Sequence, residues 1–304
     1  MKIVYAGSPQ YAVAPLRALI CGGYEVIAVI TQPDKPVGRK GVLTPTPVKA
    51  YALSAGLPVY DFPRIRDNAE EIKSLGADIM FTCAYGQLLS QEILSAFSKG
   101  VFNLHASLLP KYRGASPVQS AILAGEEYTG VTVMQTMPAL DCGGVLFYKK
   151  CKIDGATYGE LSEKLSALSA EAVVEATEII KGGNFTLTPQ DERAATFCKK
   201  ISKAEAKVNF ALGAKKVADF INAYSPSPAA FSYLNSNPVN LLKASVCVGS
   251  GEAGTVLSAD KKGIVVACGD GAVNIIKLQF AGGKPLLAQD AVNGRKIKAG
   301  DRFD

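Results

Sequence analysis

Asn103 and His105 stand two residues apart, just before the run Ser107-Leu108-Leu109-Pro110-Lys111-Tyr112-Arg113-Gly114. Histidine is the side chain best placed to exchange a proton near neutral pH. An asparagine amide can donate a hydrogen bond to an oxygen that gains negative charge during a reaction. His105 is the only histidine among 304 residues. A lone histidine is more often structural than catalytic, and the neighbours must decide. One candidate neighbour is Asp141, in Ala139-Leu140-Asp141-Cys142-Gly143-Gly144. A carboxylate there could orient an imidazole and stabilise its charge, as the acid of a catalytic triad does. The sequence does not bring Asp141 to His105, and an isolated aspartate in such a segment is more often a turn former.

The elements that must position these residues alternate. Ile3–Ala6 reads as a strand, and Gly7-Ser8-Pro9 turns the chain into a helix near Ala12–Cys21. Glu25–Thr31, Asp78–Tyr85 and Val101–His105 read as further strands, with helices at Asn68–Leu75 and Gln91–Phe97. Such alternation predicts an α/β fold, Rossmann-like, with a mostly parallel sheet. Ligands bind beyond the carboxyl ends of such strands, where Tyr85-Gly86, His105 and the Ser107–Pro117 loop would lie. Pro117–Ala124 is predicted helical, Gly130–Gln135 and Val145–Ile153 extended, and Tyr158–Lys181 a long amphipathic helix closed by Gly182-Gly183. After Pro189 the pattern changes. Lys203–Lys207 and Ala214–Ala223 look helical. Short runs then follow at Ala230–Leu234, Leu241–Val248, Gly254–Leu257, Gly263–Ala267 and Val273–Phe280, with turn signals such as Asn237-Pro238 between them. That spacing predicts a small C-terminal β-barrel, OB-like. The expected division is a catalytic domain over 1–188, a linker over 189–206 and a β-domain over 207–304.

The composition is that of an ordinary globular chain with a real core, 48% hydrophobic and 20% charged. No apolar run reaches the roughly 20 residues of a membrane span, and the N-terminus lacks a signal-peptide pattern. The seven cysteines are scattered and form no C-x-x-C pair, which argues for a reducing cytosol and against zinc or a disulfide framework. The net charge of +6 is uneven: residues 1–188 hold 17 basic and 17 acidic side chains, whereas 207–304 hold 12 against 7. A basic last part is suited to meet a polyanion, though it serves solubility equally well.

The motif Asn103-x-His105-x-Ser107-Leu108-Leu109-Pro110-x-Tyr112-Arg113-Gly114-Ala115-x-Pro117, followed by Leu140-Asp141, resembles the signature of the 10-formyltetrahydrofolate-dependent formyltransferases. Other segments resemble the branch of that family acting on initiator methionyl-tRNA. They are Ala6-Gly7-Ser8-Pro9, Thr31-Gln32-Pro33-Asp34-Lys35-Pro36-x-Gly38-Arg39, Pro45-x-Pro47-Val48-Lys49 and Ala84-Tyr85-Gly86, with the basic C-terminal part. The resemblance spans essentially the whole chain. It implies formyl transfer from N10 of the folate to the α-amine of methionine on the tRNA. Asn103, His105 and Asp141 would be catalytic, and no metal would be needed. Ser107, Leu108, Leu109 and Pro110, with Ala84, Tyr85, Gly86 and Leu88, would hold 10-formyltetrahydrofolate. A monomer in a bacterial cytoplasm is expected. Departures are Ala106 for a usual glycine, Tyr112 for a common tryptophan, Gly144 where an acid often stands, and Ser225-Pro226-Ser227-Pro228 for an aromatic-containing corner.

Pro33–Lys49 carries Lys35, Arg39, Lys40 and Lys49 against Asp34, and its prolines and glycines predict no regular structure. By itself this is a solvated loop. Within the resemblance, Lys35, Arg39 and Lys40 would meet the tRNA, because Arg can pair with phosphate or stack on an unpaired base. Three other readings remain. A formyltransferase with a small amine acceptor, or a formyl-folate hydrolase, would need neither the basic loop nor the basic C-terminal part. A dinucleotide-binding dehydrogenase would want G-x-G-x-x-G, which Gly7-Ser8-Pro9-Gln10-Tyr11-Ala12 is not. A non-catalytic tRNA-binding module would leave Asn103, His105 and Asp141 without a role.

Overall fold

The computed structural model describes residues 1–38 and 41–304. The chain forms two compact units. One comprises Met1–Gly114, Thr129–Cys151 and Ser162–Phe197, and the other Ala115–Tyr128, Lys152–Leu161 and Cys198–Asp304.

The first unit is built on a seven-stranded sheet. Its strand order is Val145–Lys152, Tyr128–Gln135, Val101–His105, Ile79–Cys83, Ile3–Gly7, Val26–Ile30 and Val59–Tyr60. The pairings from Val101–His105 through to Val59–Tyr60 are parallel, and Tyr128–Gln135 runs antiparallel to Val101–His105. Ile3–Gly7 and Ile79–Cys83 are buried at every position. Unbroken apolar runs of this kind suit parallel strands covered on both faces. The chain moves outward from Ile3–Gly7 to Val26–Ile30 and Val59–Tyr60, then returns to Ile79–Cys83 on the other side. A reversal of this sort opens a crevice at the carboxyl ends of the two strands it separates. Gly7 ends the first of these strands, and the backbone there has no room for a side chain: an added Cβ would lie 2.9 Å from both Ala12 Cβ and Cys83 O.

Two local expectations change. Pro33–Lys49 contains regular structure that its prolines and glycines do not predict. Lys35–Val37 and Val42–Thr44 pair antiparallel, with Lys35 opposite Thr44, and Pro47–Ser54 is a helix. A two-stranded ribbon is all edge, so Pro36 interrupts no second ladder. Pro47 sits in the first helical turn, where its missing N–H costs nothing, and the Thr46 hydroxyl caps the helix by accepting from Lys49 N at 3.1 Å. Arg39 and Lys40 lie outside the described residues.

The second change is in the other unit. Asn237-Pro238 is not a turn. The turn falls two residues earlier, at Asn235 and Ser236, both with positive φ (48° and 67°), and Asn237 opens the strand Asn237–Cys247. Two positive-φ residues give a two-residue hairpin turn the twist its strands require. The expected run Gly254–Leu257 likewise begins at Val256 and extends to Asp260. The strand order is Ala230–Leu234, Asn237–Cys247, Ala272–Phe280, Gly263–Ala267 and Val256–Asp260, all antiparallel. The chain end joins the two edges, Phe303 bridging Leu234 and Arg302 bridging Thr255. The helix Ala214–Ala223 buries Val217, Ala218 and Ile221.

Candidate active site

Asn103 and His105 alternate correctly along one strand, so their side chains project to the same face of the sheet. His105 is the last residue of that strand and is 5% exposed. The parallel register puts Thr82 beside Asn103. The Thr82 hydroxyl donates to Asn103 Oδ1 at 2.9 Å, which leaves Nδ2 as the donor end of the amide.

The fold brings Asp141 to His105, which the sequence alone did not. Asp141 Oδ2 lies 3.7 Å from His105 Nδ1 and accepts the backbone N–H of Gly114 at 2.9 Å. On the other side of the ring, His105 Nε2 is 3.0 Å from Tyr112 O. Both ring nitrogens therefore face oxygen atoms. Asp141 itself sits at φ 48°, a left-handed conformation that aspartate tolerates better than most residues. The turn behind it is tight: a Cβ at Gly143 would lie 1.7 Å from Gln135 O. At Gly144 a Cβ would lie 2.8 Å from Leu187 Cβ, so the acid often found at this position has no room here without a shift.

The loop after His105 is braced from within. The Ser107 hydroxyl donates to Lys111 O at 2.6 Å. The Thr132 hydroxyl donates to Ser107 O at 2.6 Å and accepts from Leu109 N at 3.0 Å. Ser107 and Leu109 are buried, whereas Leu108 and Pro110 are partly exposed. At the neighbouring strand end, Ala84, Gly86 and Leu88 are exposed while Tyr85 and Leu89 turn into the core. Gln32 Nε2 donates to Tyr85 O at 3.1 Å and holds this loop down. Leu88 remains 67% exposed, a large apolar side chain beside polar backbone. That combination fits a flat heterocycle edged with hydrogen-bonding groups. Burial pushes the Tyr85 hydroxyl up to a state that stays neutral at any ordinary pH.

Of the basic positions, Lys35 is exposed on its strand. Lys49 is not a free cation: its ammonium donates to Asp34 at 2.8 Å and to Asp61 at 2.6 Å, and these bonds hold it above the usual lysine range.

Several supporting residues carry no sequence signal as such. Thr82 and Thr132 are single polar residues inside apolar strands. Gln190 and Glu192 fall in the expected linker, yet both bond to the buried Arg113 guanidinium. The Glu192 carboxylate holds Arg113 above its usual range, and Arg113 in turn holds Glu192 below the usual carboxylate range. Arg113 lies in the motif itself, so a buried arginine requiring an acid was the one available clue.

Comparison with known proteins shows the family and the fold. Residues 1–177 match the family described as Formyl transferase, and residues 200–296 match Formyl transferase, C-terminal domain. The chain is 44% identical over 309 residues to the methionyl-tRNA formyltransferase of Chromobacterium violaceum, covering 100% of this chain and 99% of that protein. Among solved structures, the N-formyltransferase from Helicobacter canadensis, in complex with folinic acid and dTDP-3-aminofucose, has a TM-score of 0.69 at 18% identity. That match covers 94% of this chain and 100% of the other. The sugar 3N-formyl transferase WlaRD, solved in the presence of dTDP and 5-N-formyl-THF, has a TM-score of 0.68 at 20% identity, covering 93% and 99%. The two structures show a shared fold.

Proposed function

Because the chain belongs to the methionyl-tRNA formyltransferase family, we propose that Asn103, His105 and Asp141 carry the transfer of a formyl group from 10-formyltetrahydrofolate to the α-amine of initiator methionyl-tRNA. The observation that carries this reading is the placement of the Asp141 carboxylate 3.7 Å from the ring of the only histidine, beside an asparagine whose amide is turned by Thr82.

The folate supplies an activated formyl carbon. A free α-amine has an ordinary pKa of about 7.7–8.0, so a useful fraction is unprotonated near neutral pH and can attack. Asn103 Nδ2 donates to the formyl oxygen as negative charge builds on it. His105 donates from the imidazolium form, or receives the amine proton and passes it toward the leaving nitrogen. The Tyr112 carbonyl occupies an acceptor position at Nε2, and an oxyanion that replaces it would take the same hydrogen. Asp141 faces Nδ1 and stabilises the charged ring while the Gly114 amide fixes the carboxylate. Ser107 and Leu109 brace the loop, with Ser107 Oγ, Ser107 O and Leu109 N already paired. Folate contact there falls to Leu108 and Pro110, and on the facing loop to Ala84, Gly86 and Leu88, with Tyr85 as their anchor.

Lys35, with Arg39 and Lys40, is assigned to the tRNA, as are the excess basic charges after residue 207. The catalytic part is assigned to 1–188, the linker to 189–206 and the tRNA-binding part to 207–304. The family matches at 1–177 and 200–296 support that division. Action as a monomer in a bacterial cytoplasm belongs to the same proposal.

The test is transfer of labelled formyl from 10-formyltetrahydrofolate to charged initiator methionyl-tRNA, with wild type and His105→Ala side by side. Transfer by the wild type that His105→Ala abolishes is the expected result. Release of formate without transfer would leave the fold assignment standing and overturn the acceptor. Full transfer by His105→Ala would overturn the site.

A further inference from the structure

We infer that Gln190 is a positioning residue for this site, and that residues 188–197 are a strap that sets the catalytic geometry rather than a passive link. The inference rests on the assignment of His105 and Asp141 to catalysis.

A primary amide has two donor hydrogens at one end and two acceptor lone pairs at the other. Gln190 uses all four. Its Nε2 donates to Asp141 O at 2.9 Å and to Gly143 O at 2.8 Å. Its Oε1 accepts from Arg113 Nε at 3.1 Å and Nη2 at 2.8 Å. One side chain thus ties the turn that carries the Asp141 carboxylate to the loop that carries Arg113. The same loop supplies Tyr112 O to His105 Nε2 and Gly114 N to Asp141 Oδ2. None of these Gln190 bonds reaches the histidine, but they link the two segments that hold both ring nitrogens.

The rest of the strap fixes Gln190 in turn. Thr188 and Val145 exchange both backbone hydrogen bonds at 2.8 Å, which anchors the strap to a sheet strand. Thr196 accepts Tyr112 N on its hydroxyl and Arg113 N on its carbonyl, each at 2.8 Å. Glu192 takes the remaining face of the Arg113 guanidinium with a two-pronged ion pair at 2.7 and 2.9 Å. Arg113 is only 2% exposed, so its charge requires these partners. The bonding demand at position 190 is therefore specific. Glutamate keeps the Arg113 contact but sets an anionic oxygen against two carbonyls. Leucine loses both ends.

A positioning role predicts a change in chemistry without a matching change in binding. Gln190→Glu and Gln190→Leu should lower kcat about ten- to a hundredfold, the scale of a small misplacement of a catalytic group. The KM for 10-formyltetrahydrofolate should stay within about twofold, since the folate contacts lie elsewhere. The single histidine gives an independent readout. In 15N-labelled protein the two imidazole nitrogens of His105 are the only ones of their kind, so their resonances report its tautomer and surroundings directly. Both variants should move those resonances and alter the pH profile of kcat, while thermal unfolding stays cooperative.

If the His105 resonances, the pH profile and kcat of both variants match the wild type, and His105→Ala is inactive, the positioning role is overturned and the catalytic assignment stands. If His105→Ala turns over normally, the catalytic assignment falls, and the inference with it.

Discussion

Asp141 Oδ2 stands 3.7 Å from His105 Nδ1, just beyond hydrogen-bond reach, while the Gly114 amide holds the same oxygen at 2.9 Å. The carboxylate is thus aimed by the backbone, and in the proposed mechanism it acts on the ring through its charge rather than through a hydrogen bond. Asp141→Asn keeps an oxygen for Gly114 and removes the charge. Turnover should fall by up to about 10⁴, the loss seen when the acid of a catalytic triad is neutralised. Single-turnover formyl transfer at saturating substrates measures it, and a fall of less than about twofold would assign Asp141 to the turn alone.

Asn103 and Thr82 form a second pair. Asn103→Ala removes the donor proposed for the developing oxyanion and should cost about 10²–10³ in kcat, with folate binding kept. Thr82→Val leaves Asn103 in place but frees its amide to turn over. A smaller loss, about tenfold, is expected from one hydrogen bond of that kind. Equal losses in the two variants would mean that Thr82 acts on more than the amide.

Lys35 is exposed at the base of the hairpin, whereas Lys49 is spent on Asp34 and Asp61. Lys35→Glu should raise KM for charged tRNA and reduce the salt sensitivity of that KM, because fewer phosphate contacts release fewer counterions. Folate KM should not change. Arg39→Ala should behave in the same direction. A change in folate KM alone would place these side chains in the wrong site.

Lys49→Met should cost about 1 kcal/mol or less, the scale of a partly exposed ion pair. The lysine is held above its usual range in the folded chain. Its contribution is therefore fully present below the unfolded lysine value of about 10.4 and is lost as pH rises through the folded value. Urea unfolding from pH 6 to 11 should show a constant difference from wild type over the neutral range that closes only at the alkaline end.

Gly130→Ala tests the packing behind the loop proposed to hold folate. The added Cβ would lie 2.1 Å from Lys149 O and 2.7 Å from Leu108 Cδ2. Since the first neighbour is backbone, the strand must shift, at about 1–3 kcal/mol. Chemical denaturation should show that loss, together with a raised folate KM from displaced Leu108. Unchanged stability would mean the strand yields more easily than its packing implies.

The strands Val101–His105 and Gly263–Ala267 and the helix Ala214–Ala223 lie where local pattern put them, because alternation and helical periodicity are written in neighbouring residues. The pairing of Lys35–Val37 with Val42–Thr44 is not legible in the sequence, since prolines and glycines that break long elements are tolerated in a two-stranded ribbon. The chemistry divides in the same way. Residue types and spacing by themselves determined the αβ alternation, the motif around Asn103 and His105, and Asp141 as a candidate acid. Tertiary structure alone decided that Asp141 faces His105, that Thr82 turns the Asn103 amide, and that Gln190 joins two loops across Arg113. Those contacts depend on strand register and on the path of the chain after Thr188. Both are set by burial summed over the whole sheet, which no short stretch of sequence records.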